Sequence, residues 1–171
     1  MKVRSSLLAG GLAAALVLSS CGGEDGSTKV GQVGGSPTTV KPPTDAFKVG
    51  DLVKAGDTEV IVHGFQDPFD AGGQKPAEGS RFVAVDVEVK NVSASPQVIS
   101  SFGQFELKDS QGKSYDAAVL RGGSPPVGGP LAVGASRRGI IAYEIPGGSQ
   151  GLLLVFKDRL ADKGDATIIL S

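Results

Sequence analysis

Between Phe82 and Asn91 the chain reads FVAVDVEVKN. Val83, Val85, Val87 and Val89 occupy every second position, with Ala84, Asp86, Glu88 and Lys90 between them. A two-residue period puts successive side chains on opposite faces of an extended backbone, whereas a helix would scatter these valines around its axis. The segment is therefore a strand with one apolar and one wet face. Its valines need a second apolar layer to cover them.

The same period returns along the chain, and no helical period is sustained. Val60 and Val62 alternate with Glu59, Ile61 and His63; Phe105 and Leu107 alternate with Gln104, Glu106 and Lys108. Asp109-Ser110-Gln111-Gly112 reads as a turn, with Lys113 to Ala118 returning as the second arm of a hairpin. Gly139, Ile141, Tyr143 and Ile145 alternate until Pro146-Gly147-Gly148 stops the strand. Leu152 to Phe156 is a continuous apolar run, which fits a strand buried on both faces. Ala166 to Leu170 makes a last strand, and a short one is expected over Phe47 to Val53. Seven to eight short strands with turn residues between them predict an all-β, antiparallel sandwich or small barrel. About 125 residues suffice for a real core, burying roughly two-thirds of the unfolded surface. The expected inward set is Val60, Val62, Val83, Val85, Val87, Val89, Phe105, Leu107, Ile141, Tyr143, Leu152, Leu154, Phe156 and Ile168. One Cys excludes an intrachain disulfide, so apolar packing must hold the sheets together.

Residues 1–20 read as an address. Lys2 and Arg4 precede the uncharged run Leu7 to Leu18, which is too short to span a bilayer. Leu18-Ser19-Ser20-Cys21 resembles the lipobox of bacterial lipoproteins: an aliphatic residue, two small residues, then the modified Cys. The resemblance implies cleavage between Ser20 and Cys21 and a diacylglyceryl group on the Cys21 sulfur, which becomes the N-terminus. Removing Lys2 and Arg4 from the 17 basic residues leaves 15 against 18 acidic ones, a net charge of −3. Such a chain is not drawn to an anionic membrane, so lipid must hold it; two acyl chains anchor stably where one does not. Residues 21–45 continue as the lipidated Cys and a disordered linker rich in Gly, Ser, Thr and Pro, with a span of about 25–30 Å. Residues 46–171 form the folded domain.

Several pieces of that domain carry a resemblance. Phe47-Lys48-Val49-Gly50-Asp51 opens it, Phe82 to Asn91 is its central strand, and FELKDSQGKSYD (Phe105 to Asp116) is its hairpin. Gly134, IAYEIP (Ile141 to Pro146) and Leu152 to Phe156 close it. In this order they resemble a domain-of-unknown-function family of the immunoprotective extracellular, immunoglobulin-like superfamily, common in lipoproteins of Gram-positive bacteria. Gly134-Ala135 departs from the acidic residue such families carry after the glycine. The resemblance implies an immunoglobulin-like sandwich outside the cytoplasm, and it implies no catalytic residues.

Little else in the sequence points to chemistry. His63 is the only imidazole. A nucleophilic triad needs a base in contact with both a hydroxyl and an orienting acid. Glu59 lies about 13 Å from His63 along an extended chain, out of reach, and no Gly-x-Ser-x-Gly elbow occurs. We therefore expect no catalytic residues and no cofactor. Asp67, Asp70 and Glu78 share the loop QDPFDAGGQKPAEGS; hard oxygen ligands in a loop suit calcium, but their spacing matches no EF-hand. Arg137 and Arg138 read as a surface basic pair. Arg121 to Ser136 is a long irregular segment, suited to binding or to crossing between sheets, and its three prolines argue against strand pairing.

The expected function follows from these parts. A lipid-anchored module on the outer face of the cell membrane would bind another envelope protein, a wall polymer or a host ligand without catalysing a reaction. The alternative is an ion- or solute-binding lipoprotein that uses the 66–80 loop. Nucleic acid is excluded as a partner, because balanced charge with only 5% aromatic residues offers neither clustered cations nor stacking platforms.

Overall fold

A computed structural model describes residues 41–121, 126–158 and 165–171. The leader, the Ser20–Cys21 junction and the linker up to residue 40 lie outside the described residues, as do residues 122–125 of the long loop.

The described residues form strands β1 (Phe47–Lys48), β2 (Leu52–Ala55), β3 (Thr58–Gln66), β4 (Ser80–Asn91), β5 (Gln97–Ile99), β6 (Phe105–Lys108), β7 (Ser114–Tyr115), β8 (Ala117–Ala118), β9 (Gly129–Leu131), β10 (Ser136–Pro146), β11 (Leu153–Phe156) and β12 (Ala166–Ile169). One turn of helix, α1 (Ser101–Gln104), precedes β6. Two five-stranded sheets result. Sheet A has the order β1-β12-β11-β6-β7 and sheet B the order β2-β3-β4-β10-β8, with β5 and β9 as a separate ribbon. All of these pairings are antiparallel except β1 with β12. Seven of the strands, namely β2, β3, β4, β6, β10, β11 and β12, have four residues or more, which matches the expected number. The rest are short fragments.

Three of those fragments, β1, β7 and β8, arise where one expected strand serves two sheets. Phe47 to Val53 was expected as one strand. Instead, Gly50 at φ +93° turns the chain a corner, so that β1 lies in sheet A and β2 in sheet B. Lys113 to Ala118 splits likewise: β7 pairs with β6, and after Asp116 the chain crosses to pair as β8 with β10. The 121–136 segment does not cross between sheets, because β8 and β10 are neighbours in sheet B. Nor do its prolines prevent pairing. Pro130 sits in β9 opposite Val98, and in a two-stranded ribbon each strand keeps an outer edge where a missing N–H costs nothing.

All fourteen expected inward residues are buried in one cluster drawn from both sheets. Phe105 and Phe156 are opposite each other on β6 and β11, with ring centroids 4.9 Å apart. Val127 and Leu131 of the long loop are buried there too, so that loop closes the core. Leu153 and Val155, which alternate with the inward residues, are also buried, as the continuous apolar run predicted. One expectation needs correcting: Ala84, assigned to the wet face of β4, is buried along with Phe82. The 67–69 segment continues alongside β4 there, with Phe69 N–H donating to Phe82 O at 2.8 Å.

Tyr143 is fully buried, yet its hydroxyl has no partner among the described residues. Burial pushes its phenol well above the ordinary range. An orphaned buried hydroxyl destabilises the fold. Tyr143→Phe is therefore expected to stabilise the domain by about 1 kcal/mol and to raise its melting temperature by about 3–5 °C. A lower melting temperature in calorimetry would show that the hydroxyl has a partner.

Candidate functional site

The polar side chains at one end of the sandwich serve the fold. Arg81, just after the 66–80 loop, uses all five of its N–H donors. Nε and Nη2 bind Asp67 at 2.5 and 2.8 Å, Nη1 binds Pro146 O and Gly147 O at 2.9 and 2.7 Å, and Nη2 also binds Ser149 O at 2.8 Å. The Asp67 hydrogen bonds raise the Arg81 pKa further. Ser149 Oγ lies 3.0 Å from Tyr115 Oη, which donates to Asp109 at 2.8 Å. Asp109 also accepts from the N–H groups of Gln111 and Lys113, which builds the hairpin turn. Burial raises the Asp109 pKa, but these bonds outweigh it and hold the carboxyl below its usual range.

This network shows what became of the sequence candidates. Asp67 is held by Arg81, and Asp70 caps its own turn by accepting from Gly72 N–H at 3.0 Å. Asp67, Asp70 and Glu78 do not converge on a metal position: among the described residues no group of three His, Cys, Asp or Glu is placed to hold one. His63 is the extra residue of a β-bulge between Val62 and Gly64. Its Nε2 lies 2.9 Å from Glu88 Oε2 on β4, a neighbour that spacing along β3 could not reveal. The His63 hydrogen bond lowers the Glu88 pKa, with help from Ser136, which bonds the carboxylate rather than the imidazole. Arg138 forks onto Asp86 at 2.9 and 2.6 Å and lowers its pKa. Among the described residues Arg137 does not pair with an acid. It donates to the carbonyls of Gly128 and Pro130 and so pins the long loop.

Sequence reasoning missed a feature on the same face of sheet B as the Asp86–Arg138 pair. At the β8–β10 edge an apolar recess of about 130 Å³ is lined by residues including Phe69, Phe102, Ala118, Val119, Leu120 and Ile140. Phe102 is 51% exposed and Val119 73%, so two large apolar side chains face solvent beside it. A cavity of roughly this size, 150 Å³ when lined by apolar groups, accepts a benzene ring, which is the size of one apolar side chain. Beside it a second hollow runs between Arg137–Ile140 of β10 and Pro126 and Gly128, and Ile140 lines both. Only the loop's length pointed to this region, because its lining comes from α1, β8, β10 and two loops.

Comparison with known proteins places this geometry. The sequence profile of a family described as a domain of unknown function, DUF4352, matches residues 47–166. The uncharacterized protein YxkC of Bacillus subtilis (strain 168) is 38% identical over 77 residues, 43% of this chain and 43% of that protein. The chain thus spans less than half of that curated relative. Two solved structures share the fold. The ycdA protein of Bacillus subtilis, a proposed lipoprotein, has a TM-score of 0.54 at 16% identity and covers 69% of this chain and 38% of that one. MPT63, a secreted protein from Mycobacterium tuberculosis, has a TM-score of 0.51 at 13% identity and covers 75% of this chain and 99% of that one.

Proposed function

The chain belongs to the DUF4352 family of domains of unknown function, and on that premise we propose that it is a lipid-anchored, extracytoplasmic, immunoglobulin-like module that binds another envelope protein without catalysis. The observation that carries this reading is the recess at the β8–β10 edge. It is flanked by exposed Phe102 and Val119, and none of its lining residues titrates. Exposed apolar side chains around a preformed cavity favour burial against a partner. Three pairs of ionisable groups elsewhere on sheet B are held across strands: His63 with Glu88, Arg138 with Asp86, and Lys90 with Glu59 at 3.5 Å.

The lipobox-like Cys21 supports the anchor, and a fold shared with one secreted protein and one proposed lipoprotein agrees with a place outside the cytoplasm. Mass spectrometry of protein from its own cells is expected to find a chain beginning at Cys21 with a diacylglyceryl thioether, and Cys21→Ser is expected to lose membrane attachment. An intact leader or a free thiol would overturn the anchor. For the binding role, a photo-cross-linking residue at position 102 or 119 should trap a defined envelope protein. The same residue at position 52, on exposed Leu52 of the opposite edge strand, should trap none. Absence of adducts at all three positions would overturn the binding reading.

A further inference from the structure

The open edge of β10 points to a binding mode. β10 runs from Ser136 to Pro146, and β4 pairs with its whole length. On the other side, β8 covers only Ala142 and Tyr143. Along Ser136–Ile141 the backbone groups facing away from β4 have no strand partner among the described residues. An antiparallel strand directs alternate N–H and C=O groups to each side, so this stretch presents a half-used ladder. Most edges of this kind are blunted by a bulge, a proline or a covering loop. Among the described residues a hollow of about 400 Å³ lies beside Arg137–Ile140, with Pro126 and Gly128 among its lining residues. That hollow meets the apolar recess at Ile140.

The charge around the slot is one-sided. Asp86 is the only acidic residue lining it, and that carboxylate is held by Arg138. Arg137 has two carbonyls and no acid as partners. Arg121, next to Leu120 of the recess, forms no ion pair among the described residues; only its backbone N–H is bonded, to Gln74. Arg137 therefore lines the slot, and Arg121 follows the recess residue Leu120 in the chain at an exposed position. Arginine favours carboxylates, which it can bind in bidentate geometry.

We propose that an extended acidic segment of a partner protein adds as a strand to the open edge of β10 along Arg137–Ile140, with one bulky apolar side chain seated in the recess lined by Phe69, Phe102 and Val119. Main-chain pairing gives such a complex affinity, and the pocket and the charges give it selectivity. The chain's own linker is a poor occupant: between Gly22 and Val40 its largest apolar side chain is valine, which underfills a hole that accepts a ring. This inference rests on the binding reading above.

The test uses the full mature chain in detergent and fluorescent ten-residue peptides with a central Phe among Asp and Glu, read by anisotropy. The acidic peptide is expected to bind saturably. Replacing its Phe with Ala, its acids with Lys, or its alternate amides with N-methyl groups should each weaken binding at least about tenfold. Arg121→Glu and Val119→Asp, both at exposed positions, should do the same without lowering the melting temperature. Lys54→Glu on β2 at the far edge should change nothing. Equal binding of the N-methylated peptide would overturn strand addition, and equal binding to Arg121→Glu would overturn the charge argument. If sedimentation shows a dimer that Val119→Asp dissolves, the occupant is a second copy and the proposal fails. If the acidic peptide does not bind while position 102 still cross-links a partner, strand addition fails and the binding reading survives. If neither occurs, both fall.

Discussion

Val87→Asp is expected to leave the domain unfolded at 25 °C. Val87 is fully buried in the middle of β4, opposite Val62 on β3 and Gly139 on β10. The substitution removes an apolar side chain whose burial is worth about 1.5–3 kcal/mol. It also places a carboxylate where no cation reaches, at an effective cost of several kcal/mol even after relaxation. The sum is comparable to the whole stability of an ordinary domain, roughly 5–15 kcal/mol. Circular dichroism with urea titration is the measurement. Lys90→Gln, three residues along on the wet face, is the control; it loses only the half-exposed pair with Glu59 and should cost no more than about 1 kcal/mol. A Val87→Asp protein within 1 kcal/mol of the parent would mean that the valines face outward.

The second large effect is expected at Asn91. Its side chain is fully buried at the end of β4 and uses all of its hydrogen-bonding capacity. Nδ2 donates to Ser95 O at 2.8 Å and to Leu131 O at 3.1 Å, while Oδ1 accepts from Ser93 N and Ser93 Oγ at 2.9 and 2.7 Å. Its backbone joins the same junction: Asn91 N–H donates to Ala135 O, and Gly134 N–H donates to Asn91 O. The side-chain amide thus ties β4 to the 93–95 turn and to the end of β9, and the backbone ties it to the loop that follows. Asn91→Asp keeps the shape but puts an oxygen against two carbonyls. The buried Leu131 carbonyl loses this donor at about 1–3 kcal/mol, while Ser95 O, on an exposed residue, still accepts from Ser93 Oγ, and a charge is added. We expect a loss of at least about 3 kcal/mol at neutral pH, partly recovered below the carboxylate range, where protonation restores one donor. Asn91→Ala, which adds no charge, should cost less. Equal stability of Asn91→Asp and the parent, by urea titration, would show that water replaces the amide.

These two residues mark what the sequence makes visible. Val87 is legible because the two-residue period of β4 extends over four valines, and a register error of one residue would expose all of them. The same reasoning found the inward residues of β3, β6, β10, β11 and β12. Asn91 was not legible. It ends the same run as an ordinary turn-former, and its partner Leu131 lies forty residues away. In sequence Arg81 is one charge just after the 66–80 loop; its role as a five-bond clamp depends on carbonyls at 146, 147 and 149 that only the folded chain brings near. Asp109 left a local trace, an acidic residue opening a turn that ends in glycine, but the Tyr115–Ser149 extension did not.

The recess shows the same division. Phe102 is an isolated apolar residue and Val119 lies in the short run Ala117–Leu120, both in stretches without a period, which is how surface and core residues alike look in sequence. Burial of Ala84 was misread because alternation states which residues share a face, not whether another segment covers it. Gly50 and Asp116 were unremarkable in sequence, yet at each the chain changes sheet.

By itself, then, the order of residues determined that the domain is a β-sandwich and which face of each long strand points inward, because a period of two leaves the backbone only one way to bury its apolar side. It also carried the lipobox resemblance, which is local by nature. Only the tertiary structure decided which strand lies beside which, where β10 is left open, and which charges are paired. Those outcomes depend on groups far apart in the chain meeting at hydrogen-bond distance, and no local pattern encodes such a meeting.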